Sequence, residues 1–269
     1  MSETSIHFIP AASFSTTNIA VIPAPASLSK WVQCLWLVSD TQKNRQFIEE
    51  KVYPDAGTSL TFTINSTGAS AQFFYNTQVF FQRWNMSNNY VSVRFKPGGA
   101  YALLGLDIND LANQEIDFNE LSIAHKHQVN ALLDLLPVLS ATEQLQLLQD
   151  WLIALSPNAQ IIHHQLDSLL IQTSNNLLIP RDFADNIGMS CRTLERHVRR
   201  HLGSTPNQLR SYAQIHHARQ YLITTKSSIS DVALSCGYFD QAHFTNAFRA
   251  HSLETPLQYR KRKLSQISN

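Results

Sequence analysis

Two periods of hydrophobic residues divide the chain. In residues 60–65, Leu60, Phe62 and Ile64 alternate with Thr61, Thr63 and Asn65. Residues 90–96 repeat the pattern, with Val91, Val93 and Phe95 opposite Ser92, Arg94 and Lys96. This period of two predicts half-buried strands. Further strand-favouring stretches, rich in β-branched and aromatic residues, are 31–38, 47–53 and 71–85. Turn sequences separate them at 54–57, 66–68 and 97–99, so the first 100 residues favour a small β-barrel or sandwich.

The apolar spacing changes to three and four residues after Gly99. It predicts helices over 127–140, 141–155 and 157–173. In the second of these, Leu145, Leu148, Leu152 and Leu155 form one stripe. These helices either cover the β-rich region or build a dimer interface, and the pattern favours neither. Ser174-Asn175-Asn176 is the candidate domain boundary, giving domains 1–173 and 174–269.

The C-terminal part contains a twofold repeat, over residues 182–210 and 231–260. Each copy has an Asp, a short helical pattern with a central Ala, a Gly, a second helical pattern and a Thr-Pro pair. Gly188 and Gly237 supply the left-handed backbone that reverses the chain, and Ser190 and Asp240 are suitable N-caps for the following helices. This order of elements predicts two helix-turn-helix units, joined by one long helix over 206–224.

The second helix of each copy has a packing face and an outward face. Leu194, Val198 and Leu202 anchor the first, and Phe244, Ala247 and Phe248 anchor the second. Outward residues suit base edges and phosphates, because Arg pairs with guanine, Gln and Asn pair with adenine, and small side chains touch the thymine methyl. The DNA-binding residues predicted in this way, with phosphate contacts from the C-terminal basic run, are Arg192, Thr193, Glu195, Arg196, Arg199, Arg200, Gln241, Ala242, Thr245, Asn246, Arg249, Lys261, Arg262 and Lys263.

Residues 178–263 resemble the tandem helix-turn-helix domain of the AraC/XylS family of bacterial transcription regulators. The likeness rests on ISDVALSCGYFDQAHFTNAFRAH (229–251) and MSCRTLERHVRRHLGSTP (189–206). More weakly, residues 52–64 and 94–105 are similar to the sensor domains that precede this module in such regulators. The resemblance implies an α+β chain: an N-terminal β-rich barrel- or sandwich-like (cupin-like) domain with helices, and an all-α C-terminal domain.

The chain departs from this family pattern at four positions. Leu253 stands where the family usually has a Gly after the last recognition helix, so we expect that turn to adjust. Gln214 and His217 replace usual arginines in the linking helix, and Leu209 replaces a usual Tyr. None of these positions lies on the predicted recognition faces.

Charge separates the two parts of the chain. Its 269 residues have a formal net charge of +1, but residues 174–269 carry 13 Lys and Arg against six Asp and Glu, or +7, which leaves −6 for residues 1–173. Such asymmetry favours a basic module for a polyanion joined to an acidic module with another role. Because there is no apolar run of membrane length and no signal peptide, and the three cysteines are far apart, we expect a cytoplasmic protein.

Other candidate chemistry in the sequence is weak. His125-Lys126-His127 and His163-His164 resemble metal-ligand spacings, but no compact His/Glu set accompanies them, so we predict no metal and no cofactor. The aromatics Phe73, Phe74, Tyr75, Phe80, Phe81 and Trp84 indicate strand core, with a pocket for a small ligand as the alternative. No P-loop, nucleophile elbow or catalytic triad is present, so we predict no enzyme.

The function that these patterns favour is a sequence-specific transcription regulator that binds double-stranded promoter DNA. Its N-terminal domain would sense a small-molecule effector, mediate homodimerisation, or both, and RNA polymerase is a further candidate partner. One alternative gives the N-terminal domain enzymatic work, such as methyl transfer to Cys34, which has no activating neighbour in the sequence. The other alternative is a protein-interaction scaffold that uses the acidic domain and helices 127–173.

Overall fold

A computed structural model describes residues 19–39, 46–121, 125–161, 164–174 and 179–267. Eight strands occupy the N-terminal part: β1 (Ile19–Pro23), β2 (Val32–Val38), β3 (Phe47–Val52), β4 (Thr58–Asn65), β5 (Gly68–Tyr75), β6 (Phe80–Asn85), β7 (Asn89–Phe95) and β8 (Gln114–Asp117). The helices are α1 (Gly99–Leu104), α2 (Lys126–Leu135), α3 (Ala141–Leu155), α4 (His164–Ser174), α5 (Pro180–Asn186), α6 (Cys191–Leu202), α7 (Pro206–Thr224), α8 (Ile229–Ser235), α9 (Gln241–Ser252) and α10 (Pro256–Ile267).

The strands form a six-stranded antiparallel sheet and a two-stranded one. The larger has the order β1-β2-β7-β4-β5-β8, and the smaller pairs β3 with β6. Within the described residues β1 and β8 do not pair, so the sheet stays open and no closed barrel forms. All the described α-helices except α1 follow the strands, and the α+β prediction is confirmed.

Both faces of the large sheet are covered. One face packs with α2 and α3 through residues such as Leu35, Phe62 and Leu152. The other face packs under the small sheet, where Trp36 of β2 meets Trp84 of β6 with ring centroids 5.5 Å apart. The prediction that β7 is half-buried is therefore wrong, because six of its seven residues are buried. Its polar face is satisfied internally; for example, the hydroxyls of Ser92 and Thr61 lie 2.8 Å apart.

The aromatic stretch 71–85 contains two strands rather than one. β5 and β6 are separated by residues 76–79, a turn that lacks the Gly or Pro that marks most turns in the sequence. Most of its aromatics are core, as predicted, but Phe81 is 59% exposed. In the helical part, α3 has the predicted bounds, and its stripe packs on the large sheet.

The C-terminal helices form two small hydrophobic cores, and both cores include residues of α7. The first core includes Phe183, Leu194, Val198 and Leu202, together with Leu209 from the start of α7. The second includes Phe244, Phe248 and Tyr259, together with Ile215, Ala218 and Leu222 from the rest of α7. Leu166 and Leu169 of α4 belong to the first core, so α4 packs with the C-terminal helices. The boundary near residue 174 stays a prediction, and residues 175–176 lie outside the described residues.

Candidate nucleic-acid interface

The two repeats fold into the same helix-turn-helix frame. In the first unit α5 leads through a turn into α6, and in the second α8 leads into α9. Gly188 and Gly237 adopt φ values of 68° and 78°, in the left-handed region that glycine enters without steric cost. The Ser190 hydroxyl accepts from the backbone N–H of Thr193 at 3.1 Å, and the Asp240 carboxylate accepts from that of His243 at 2.7 Å. Both predicted N-caps are confirmed.

The outward face of α6 is basic and exposed. Leu194, Val198 and Leu202 are buried, as predicted. Of the predicted DNA-binding residues on this helix, Thr193 is half-buried. The others are exposed, namely Arg192, Glu195, Arg196, Arg199 and Arg200. Arg199 is engaged by Glu195 one helical turn earlier, at 2.9 Å. In the free protein Arg192, Arg196 and Arg200 thus carry the more open positive charge.

The outward face of α9 is chemically different from that of α6. Phe244 and Phe248 are fully buried, and Ala247 is half-buried against the same core. Of the five predicted DNA-binding residues on this helix, Thr245 is half-buried. The other four are exposed, namely Gln241, Ala242, Asn246 and Arg249. This face offers amides, a hydroxyl and one arginine, a set suited to adenine and thymine edges rather than to a run of phosphates.

The turns after the two recognition helices share one backbone conformation but not one residue type. Gly203 caps α6 at φ 63°, and Leu253 caps α9 at φ 58°. Our expectation that the second turn adjusts to its leucine is wrong, since the left-handed conformation is kept. A leucine there is strained, because its Cβ approaches the following carbonyl. Each turn then enters the next helix through a Thr-Pro-x-Gln capping box, beginning at Thr205 and at Thr255.

The C-terminal basic run is only partly available to a ligand. Lys261 is exposed. Arg260 donates to the carbonyl of Leu222 at 2.9 Å, Arg262 pairs with Glu254 at 2.7 Å, and Lys263 is 6% exposed. Phosphate contact by Arg262 or Lys263 stays a prediction, and it would require these side chains to leave their places in the protein.

Glu254 gathers cations from both domains. Its carboxylate pairs with Lys51, which belongs to β3, at 2.9 Å and accepts from the Tyr53 hydroxyl at 3.1 Å. Burial opposes ionisation of Glu254, but the hydrogen bonds and charges of Arg262 and Lys51 outweigh it and lower its pKa to about 2. Burial, with Arg262 and Arg219 nearby, lowers the pKa of Lys263 to about 8. The contact is thus an ionic joint between the sheet domain and the second helix-turn-helix unit.

These domain contacts were missed by the sequence reasoning. The sequence holds one indication of the ionic contact: Glu254 is the one acidic residue among residues 241–269, and four consecutive basic residues follow it at 260–263. Its partners Lys51 and Tyr53 lie about two hundred positions away, with |i−j| of 203 and 201, and nothing local marks them. Gln214, flagged for replacing an arginine, donates to the carbonyl of Cys236 at 3.1 Å and ties α7 to the second unit.

The remaining candidate groups lie away from this interface or outside the described residues. Cys34 is buried, and burial, although opposed by Arg94, raises its pKa to about 11, which disfavours a nucleophilic thiol at neutral pH. Within the described residues, no three His, Cys, Asp or Glu side chains cluster as metal ligands; His163 and the side chain of His164 lie outside them. None of the described helices is long and apolar enough to span a membrane.

Comparison with known protein families separates the two halves of the chain. A family described as a helix-turn-helix domain matches residues 183–262. A second family, described as a domain of unknown function (DUF6597), matches residues 20–117. The first range begins within α5 and covers the rest of both helix-turn-helix units, and the second covers the described strands except the first residue of β1.

Individual relatives match part of the chain. The transcriptional activator RhaS of Enterobacter sp. (strain 638) is 35% identical over 78 residues, which are 29% of this chain and 28% of RhaS. The transcriptional regulator ArgR of Pseudomonas aeruginosa is 30% identical over 104 residues, 38% of this chain and 32% of ArgR. An AraC-type regulator from Chromobacterium violaceum, of known structure, is 29% identical at a TM-score of 0.34, covering 37% of this chain and 91% of that one. The chain thus matches less than a third of the length of either curated relative.

Proposed function

We propose, from the premise that this chain belongs to the AraC/XylS family of regulators, that it binds promoter DNA sequence-specifically and regulates transcription. The observation that carries the proposal is the pair of helix-turn-helix frames, each with its apolar side buried and its polar side exposed on the second helix. A helix can enter the major groove only in this arrangement, with one face anchored and the other free to reach the bases.

The two recognition helices divide the work of binding. Arg192 and Arg196, in the first half of α6, would read guanine, since the N-terminal residues of a recognition helix contact base edges. Gln241 and Asn246 of α9 would read adenine, and Ala242 would contact a thymine methyl. Arg200 and Lys261 would contact phosphates, which supply affinity without sequence preference.

The N-terminal domain would sense a small molecule, mediate dimerisation, or both. Its direct contact with the helix-turn-helix units supports a sensing role, because a change in the sheet can reach the recognition helices through packed side chains. Dimerisation is supported by apolar residues exposed around α2 and α3, namely Leu135 (46%), Val138 (79%) and Ile153 (39%). Neither role requires chemistry in the domain.

The proposal is tested by selecting duplexes from a random pool with the purified full chain, with and without a panel of metabolites. We expect one enriched sequence, and an affinity whose logarithm falls with log salt by about 0.9 per phosphate contacted. The joint variant Arg192→Ala/Arg196→Ala should lose the enrichment. Arg83→Ala, which removes an exposed arginine from β6, is the charge control and should keep it. An unenriched pool at every salt concentration would rule out specific binding.

A further inference from the structure

The N-terminal domain contacts the two helix-turn-helix units at equivalent places. In each unit the contact is made to the residue that directly follows the left-handed cap of the recognition helix, Ser204 after Gly203 and Glu254 after Leu253. In each case a tyrosine hydroxyl at the end of a strand makes it, Tyr75 in the first unit and Tyr53 in the second. The internal repeat of the C-terminal domain is thus matched by a pair of tyrosines.

The contact to the first unit is neutral and fully buried. The Tyr75 hydroxyl donates to the carbonyl of Gly203 at 2.7 Å and lies 2.8 Å from the Ser204 hydroxyl. Tyr75 and Ser204 are both 0% exposed. A Cβ on Gly203 would lie 2.6 Å from the Ile108 side chain and 3.1 Å from the Tyr75 ring, so the sheet domain packs directly on this turn.

The contact to the second unit is ionic. The Tyr53 hydroxyl donates to Glu254 and accepts from Arg262, each at 3.1 Å. The guanidinium of Arg219, from α7, stacks on the Tyr53 ring at 3.6 Å from its centroid. Tyr53 therefore touches the turn after α9, the linking helix and α10 at once, since Arg262 belongs to α10.

The two tyrosines are held at a fixed separation by the sheet domain itself. Tyr75 ends β5, and Tyr53 directly follows β3 of the other sheet. Asn76, next to Tyr75 and 1% exposed, donates to the carbonyl of Val52, next to Tyr53, at 3.3 Å. This bond ties the two strand ends together.

The two units are otherwise joined through α7, where Tyr212 of the first core also meets the His251 ring of α9, with ring centroids 6.2 Å apart. Each has its own core, and α7 runs through both. After its first residue, Pro206, α7 has no Pro or Gly that would kink it, so the angle between the recognition helices depends on how each unit packs on α7 through its own core. The sheet domain supplies a second connection, parallel to α7, between the turns that end those helices.

We propose that Tyr53 and Tyr75 are positioning residues that set the distance and angle between the two recognition helices. This proposal rests on the proposed function, because that geometry matters only if both helices meet DNA. Two adjacent major-groove segments on one face of a duplex lie about 34 Å apart, and only a chain with the matching helix spacing can occupy both. A signal that shifts the ends of β3 and β5 would change DNA binding without touching either recognition helix.

Distance measurements between two spin labels by pulsed electron paramagnetic resonance test the separation of the two helix-turn-helix units without DNA. Cys191, exposed at the start of α6, takes one spin label, and Ser235→Cys at the exposed end of α8 takes the other. Cys34 and Cys236 are buried, and burial raises their pKa to about 11 and about 12, so they label slowly. The chain with Tyr53 and Tyr75 intact should give one narrow distance distribution. The joint variant Tyr53→Phe/Tyr75→Phe should give a broader or shifted one.

Tyr90→Phe is the matched control, because the hydrogen bonds of its hydroxyl lie within the sheet domain, to the backbone of Asn85 and the side chain of Asn88. It should keep the narrow distribution. If the joint variant does not fold, Glu254→Gln replaces it, since that change weakens the second contact alone and conserves side-chain shape. An unchanged distribution in whichever of these interface variants folds would overturn the proposal.

A second measurement uses the duplex selected by the unmodified chain, with two base pairs inserted between its groove segments. The unmodified chain and Tyr90→Phe should lose at least about tenfold in affinity, as for a mismatched base pair or more. The joint variant should lose less. An equal loss of affinity in all three proteins would overturn the positioning role. Failure of the unmodified chain to select any duplex would overturn the proposed function, and the positioning role would then be tested by the distance measurement alone.

Discussion

The two helix-turn-helix units share a backbone and differ in almost every exposed group. Both have a left-handed residue between their helices, a side-chain N-cap on the recognition helix, and a Thr-Pro-x-Gln entry to the next helix. The first presents arginines and a glycine cap, whereas the second presents amides and a leucine cap. The backbone conformation of the turns is thus repeated, whereas the residues on the exposed recognition faces and those that contact the sheet domain differ between the two units.

The domain contacts show the same division. The first turn is held by a neutral hydroxyl in a buried site, and the second by a carboxylate with two cations. A neutral buried contact depends on shape, whereas an ionic one depends on pH and salt. Substitutions at equivalent positions of the two units should therefore have different effects, and the following predictions use that difference.

Gly203→Ala should have the largest effect on stability. We expect it to lower the free energy of unfolding by about 2–4 kcal/mol, because the new Cβ adds left-handed strain and meets Ile108 and Tyr75. Gly188→Ala is the matched control: its φ is also positive, at 68°, but nothing lies within 4 Å of the added Cβ. Only strain, about 1–2 kcal/mol, should appear there. Equal losses in urea unfolding would mean that the sheet domain does not press on the first turn.

Glu254→Gln should lower the free energy of unfolding by about 2–3 kcal/mol at pH 7, since it leaves Lys51 and Arg262 without their carboxylate. The effect should depend on pH. The pKa of Glu254 is lowered from 4.5 to about 2 by folding, so its contribution is complete above pH 5 and is lost as the pH falls toward 2. The unmodified chain and the variant should therefore converge in acid. A difference between them that stays constant from pH 7 to pH 2 would contradict the ionic joint.

Much of the local structure follows from the sequence. The apolar stripe of α3 fixes both of its ends, and the glycines and N-caps place the turns of both units because these signals act within a few residues. β1 and β8 were not predicted, since IAVIP and QEID have no polar-apolar alternation and form only by pairing with β2 and β5.

The recognition faces could also be predicted, because a spacing of three and four separates the buried from the exposed side of a helix. The state of Arg262 and Lys263 could not. The sequence predicts that both side chains are available to phosphates. Only in the folded protein do β3 and Glu254 lie next to them. Contacts between residues about two hundred positions apart leave no periodic trace in either segment.

Leu253→Gly should have the smallest effect and the opposite sign. Glycine removes the left-handed strain, and because the leucine is 58% exposed little packing is lost. After the added entropy of the unfolded glycine, we expect a gain of about 0.5–1 kcal/mol in the free energy of unfolding. Ala250→Gly, at an exposed position within α9, should instead cost about 1 kcal/mol. A loss in both variants in thermal denaturation would show that Leu253 has a packing role.

The most direct test of the account is base preference measured by selection from a random duplex pool with two variants, Arg196→Ala in α6 and Asn246→Ala in α9. We expect each to cost about 1–3 kcal/mol on the selected duplex and to relax preference at one or two positions. The two sets of positions should lie about one helical turn apart, one guanine-containing and one adenine-containing. If one variant selects the same sequence as the unmodified chain while the other loses preference throughout, only one unit reads DNA, and the tandem account is contradicted.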